Sequence, residues 1–227
     1  MISINEYLLS KSNKTVYDGR VKATNETISK IVLDAIKNYG TGVDLNFIDT
    51  SAVTDMTSLF NQEDFEGDVS SWDVSNVTIM KYMFYKCPHF NSDLSNWDTK
   101  NVVNMANMFT GCDEFDGKCL ENWNVSHVKN MEGMFKKCLN FNPDLSKWDV
   151  WDLEYAGQMF NDCVKFKGKG IDKWSTPKLE QIQEMFSGCK NFDVDMSHWF
   201  VRNVTHYSYW AYDTPIYNQR EKWPKFR

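Results

Sequence analysis

The sequence predicts an α/β fold: one right-handed, curved solenoid of about seven helix-plus-short-strand repeats, closed at its N-terminus by a helical cap. Three observations predict it. Trp72, Trp97, Trp123, Trp148, Trp174 and Trp199 recur every 25 or 26 residues. Phe60, Phe84, Phe109, Phe135, Phe160 and Phe186 keep the same phase, each followed by a second Phe (Phe65, Phe90, Phe115, Phe141, Phe166, Phe192). An aliphatic or Met stands three residues before each Trp, from Val69 and Leu94 to Met196, and an aliphatic five residues after it, from Val77 to Val204. A fixed period between about 20 and 50 residues marks a stacked repeat array, because one such unit cannot bury its apolar face alone.

Residues 1–42 read as an N-terminal capping region. Ile2, Ile4, Tyr7, Leu8 and Leu9 suit a short amphipathic helix, and Val16–Val21, with Asp18-Gly19 between β-formers, suits a small hairpin. Ile28, Ile31, Val32, Ala35, Ile36 and Tyr39 follow the helical rule, with Thr24 or Asn25 at the start and Gly40 at C′.

Residues 43–206 read as the repeats. In the clearest copy, Val77, Met80, Met83, Phe84 and Cys87 share one face of a short helix. Ser51, Ser75 and Ser126 stand where N-cap hydroxyls would. The segment from Asp93 to Thr99 reads as a short extended piece between turns. Packed helices need about 8–10 Å and laddered strands about 4.8 Å, which predicts curvature with the strands inside.

Residues 207–227 read either as a cap or as an aromatic, basic docking tail. They carry Tyr207, Tyr209, Trp210, Tyr212, Tyr217, Trp223 and Phe226 with four basic residues. Aromatics and Arg suit an interface hot spot.

Charge and composition narrow the function. The net charge is −6, and the body between the termini carries 15 basic and 25 acidic residues. That disfavours a nucleic-acid groove, which needs a basic stripe. No stretch approaches the length of a membrane span. The N-terminus lacks a basic start followed by an apolar run, so no secretory signal is read there, and cell surface and virion stay open as locations.

Candidate chemistry is sparse. Cys87, Cys112, Cys138, Cys163 and Cys189 share one phase and read as a ladder of buried thiols, kept unbridged by the expected helix spacing. Cys119 is out of phase and reads as an exposed single thiol. Asp68, Asp93, Asp144 and Asp195, with Asp49, Asp73, Asp98 and Asp149, read as satisfying turn N–H groups rather than as a calcium cage. The Lys165, Lys167, Lys169 and Lys173 cluster reads as a solvated loop. No cofactor, metal or catalytic constellation is expected, and the chain reads as a non-enzyme.

The run M-x-x-M-F-x-x-C-x-x-F-N-x-D-L-S-x-W-D-V-S-N-V, over Asp44–Val204, resembles the BspA-like bacterial surface proteins with leucine-rich-type repeats of about 26 residues. The resemblance implies a leucine-rich-repeat-like solenoid with an interaction role, adhesion to host proteins or to other cells, and no catalytic residues. The function expected is therefore protein recognition, with a host surface protein or an assembly subunit as partner and the oligomeric state open. The alternative is a structural component of a larger assembly, such as a virus particle, docked through its termini. The candidate binding residues are the variable polar positions Asn96, Asn122, Lys147, Lys173 and His198, and the tail residues Tyr209, Trp210, Tyr212, Tyr217 and Trp223.

Overall fold

A computed structural model describes residues 16–17 and 20–226. The expected amphipathic helix at residues 2–9 lies outside them. At the N-terminal end, β1 (Val16–Tyr17) pairs antiparallel with β2 (Arg20–Lys22), and β2 pairs parallel with β3 (Ile48–Asp49). The helix read at residues 25–39 forms as α1 (Ile28–Tyr39), burying Ile28, Ile31, Val32, Ala35 and Ile36. Gly40 ends it at φ 89°, and its N–H bonds the Ile36 carbonyl.

The expected series of helix-plus-strand units does not exist. Among the described residues α1 is the one α-helix, and the strands are β1 to β3, of two or three residues each. Four short 3-10 turns complete the regular structure. The chain is instead a pile of irregular coils. Single parallel bridges join Asp55, Ile79, Asn104, Asn130, Tyr155, Gln181 and His206 in succession.

The Met and Phe segment, read as a helix, is where the coils bond to one another. Met80, Tyr82, Phe84 and Lys86 donate their N–H groups to the carbonyls of Asn104, Ala106, Met108 and Thr110, at 2.7–3.0 Å. The same four-bond row recurs at each of the six interfaces, ending with Ile182, Glu184, Phe186 and Gly188 on His206, Ser208, Trp210 and Tyr212. The intervening residues close four-residue turns within the coil, Met83 N–H on Met80 and Cys87 N–H on Phe84. The third residue of each turn is left-handed, Tyr82 at φ 57° and Lys86 at 56°. A type II turn needs a positive φ there.

This explains the misreading. Successive four-residue turns return side chains to one side at spacings of three, four and seven, which also fit a helix face. An α-helix, however, spends its N–H groups on carbonyls four residues back. The segment read as extended is also a turn, with Trp97 N–H on the Leu94 carbonyl. Without helices in the repeats, nothing sets the expected strand-inward curvature, and no helix spacing holds the cysteines apart.

One apolar cluster runs from Val21 to Ile216. Inside it Phe60, Phe84, Phe109, Phe135, Phe160 and Phe186 stack one coil above another, with ring centroids 5.1–5.8 Å apart.

Candidate functional site

The polar residue before each Trp is placed by the turn that carries it. In Leu94–Trp97 the two end residues are buried, and the turn bond from Trp97 to Leu94 pushes Ser95 and Asn96 into solvent. Asp93 anchors the outside by accepting the Ser95 N–H at 2.9 Å. The Trp97 indole anchors the inside by donating to the Val69 carbonyl of the preceding coil at 3.2 Å. Equivalent indole bonds from Trp72 to Trp199 keep every turn in register.

The result is a column. Asn96, Asn122, Lys147, Lys173 and His198 are all exposed, one per coil. Lys147 Nζ donates to Asn122 Oδ1 at 2.7 Å, so adjacent members touch. His198 Nε2 lies 2.7 Å from the Asp172 carbonyl of the coil before it, the geometry of an N–H donated to that oxygen.

The tail folds back on the last coil. Lys222 accepts a backbone bond from Met196 at 2.9 Å, and the Trp223 indole donates to Ile216 at 2.9 Å. Trp210 is buried, 1 % exposed, with Trp223 edge-on at 5.2 Å. Tyr209 and Tyr212 are exposed and meet edge to face at 5.9 Å, and Tyr217 and Trp223 are half-buried. The Arg220 guanidinium lies 3.7 Å over the Trp223 ring, in cation–π contact. The five tail candidates therefore meet at the C-terminal end, four of them with surface to offer and Trp210 without.

Sequence reasoning missed a shallow cavity of about 390 Å³ beside Tyr212 and Tyr217, lined also by Lys190, Asp213, Thr214 and Asn218. Lys190 and Asp213 form an ion pair across it. Asp213 lies where the repeat pattern has decayed, so nothing in the sequence joined the two.

The remaining chemical groups are structural. Each phased thiol donates to a Phe carbonyl one coil back, as Cys138 does to Phe109 at 3.0 Å. Burial pushes the Cys112, Cys138 and Cys163 thiols well up, and Cys87 to about 11. Cys119, read as exposed, is half-buried, and burial pushes its thiol to about 11. A thiol held up in this way is a poor nucleophile.

The acidic ladders hold turns: Asp49, Asp68, Asp73, Asp93, Asp98, Asp144, Asp149 and Asp195 each accept the N–H two residues on. Ser51 and Ser75, read as helix caps, are donors in those turns. Lys169 holds the Asp144 carboxyl well below the usual range, and Glu114 raises His89. No helix among the described residues is long and apolar enough to cross a membrane.

A family model matches the chain over residues 29–120 and again over 110–223. The chain belongs to the DUF285 family. That family is described as Mycoplasma protein of unknown function. Two consecutive matches on one DUF285 chain fit a unit repeated along it. No curated protein and no solved structure matches the chain.

Proposed function

We propose that this DUF285 chain is a non-enzymatic protein-recognition module, of the adhesive kind its resemblance to BspA-like surface proteins suggests. The observation that carries the reading is the exposed column Asn96, Asn122, Lys147, Lys173 and His198. Its side chains vary in charge and size, while the apolar residue (Leu94, Leu120, Leu145, Ile171 or Met196) and the Trp framing each stay buried and constant in role. A rigid frame presenting one variable side chain per coil is how repeat proteins build an extended binding surface. The phased thiols are buried donors and the ladder carboxylates hold turns.

The test is a quantitative pull-down that compares the wild-type chain with a Lys147→Glu/Lys173→Glu variant of equal melting temperature. Partners captured by the first and lost by the second support the reading. Identical capture by both would sink it.

A further inference from the structure

The ladder is polar: each of the first six coils donates its N–H row toward the C-terminal end, to the carbonyl row of the next. The seventh coil has no successor among the described residues. Tyr207, Tyr209, Ala211 and Asp213 occupy the slots that donate in every coil before it, and their N–H groups have no acceptor among the described residues.

Two further features mark the same end. Ala211 is fully buried and the buried Trp210 Nε1 is unpartnered, so donors are shut away from water unsatisfied. Buried donors in that state are rare and costly. The end of the tail lies against the same end, with Phe226 stacked on Tyr207 at 4.2 Å and Trp223 and Phe226 edge-on to Trp210 at 5.2 and 5.8 Å. Those contacts are aromatic, and none supplies an acceptor to the row.

We propose that this row is a docking edge for an extended segment of another chain, one that carries a further copy of the M-x-x-M-F-x-x-C pattern, and that residues 223–226 are its displaceable cover. The occupant follows from the six interfaces already present. In all six a row of this kind is completed by four alternate carbonyls, and in the first five the segment that supplies them also carries Met and Phe side chains that continue the stack. An exposed sheet edge recruits a strand by the same logic. The first coil of a second copy is not that occupant, because α1 and the strand pairing of β2 with β3 already lie on that side. This surface is distinct from the Asn96–His198 column, so either proposal can fail alone.

The test uses the full chain and a synthetic peptide copying residues 180–190, which holds the carbonyls of Gln181, Gln183, Met185 and Ser187 that complete the fifth coil's row. In the free chain the amides of Tyr207, Tyr209 and Asp213 should exchange rapidly with solvent. Saturating peptide should slow all three and shift the Ala211 amide proton downfield, whereas a scrambled peptide should not. Phe226→Ala should tighten peptide binding by about tenfold, because a cover that must leave taxes affinity by the open fraction. Two results overturn the proposal: protection of those amides in the free chain, or no protection with about 1 mM peptide, a very weak-binding concentration. The wild-type exchange measurement decides the matter even if Phe226→Ala fails to fold.

Discussion

Single side chains here do the same task once per coil, which makes their energies testable. The Trp148 indole donates to the buried Leu120 carbonyl at 2.9 Å and stacks on Trp174 at 6.2 Å. Trp148→Phe keeps a ring and strands that carbonyl, so urea unfolding should show a loss of about 1–3 kcal/mol. The thiols carry a pH signature. Burial raises the Cys138 pKa in the folded chain, so its stability contribution is complete below the unfolded thiol value of about 8.5 and falls as pH rises further. Each such thiol costs up to about 1.4 kcal/mol per pH unit above that point. Between pH 7.5 and 10.5 the wild type should therefore lose more stability than Cys138→Ala; equal losses would refute the assignment. The chemistry of these residues was legible in the sequence as buried Trp and Cys in one phase. Their acceptors were not, because a bond between residues 28 or 29 apart depends on coil spacing.

At the scale of the element, the turn replaces the helix, and the left-handed residues carry the cost. Lys137 sits at φ 61°, in a slot that Gly111 and Gly188 fill elsewhere. Relief of about 1–2 kcal/mol from the left-handed strain exceeds the entropy lost to a Gly. Lys137→Gly should therefore raise stability by roughly 0.5–1 kcal/mol in chemical denaturation. Gly170 shows the opposite limit: at φ 89° an added Cβ would lie 2.2 Å from the Ser146 backbone nitrogen. Gly170→Ala must push one coil off its neighbour, and a melting experiment should show a loss of at least about 2 kcal/mol. The sequence marked these segments as repeating units but misnamed them. A side-chain spacing of three, four and seven is shared by a helix and by successive turns. Positive φ at Tyr82 or Lys86 leaves no trace in the residue type.

At the scale of the molecule, each coil meets mainly its two neighbours, through one row of four backbone bonds and one aromatic stack. Stability in such an array is close to a sum of unit and interface contributions. Removing residues 125–149, one period, should leave a folded, cooperative chain. Its urea m-value should fall by about a tenth, in proportion to the surface exposed on unfolding. An unfolded or aggregated product would show that the core is not divisible in this way. The ends differ from the middle: α1 closes one of them with a helix, while aromatic tail side chains cover the other without hydrogen-bonding to its N–H row.

The sequence by itself determined the period, the phase, the residues of the core and the exposed position before each Trp. These follow from burial, which apolar residue types report directly. It also placed α1, because a continuous run of helical spacing ending in Gly is a local signal. Only the tertiary structure decided that the repeats are laddered turns, that Trp210 is buried, and that the last coil keeps four N–H groups without acceptors among the described residues. Backbone donors look alike in every residue, so where each one bonds is settled by the neighbouring coil and not by the side chain it sits beside.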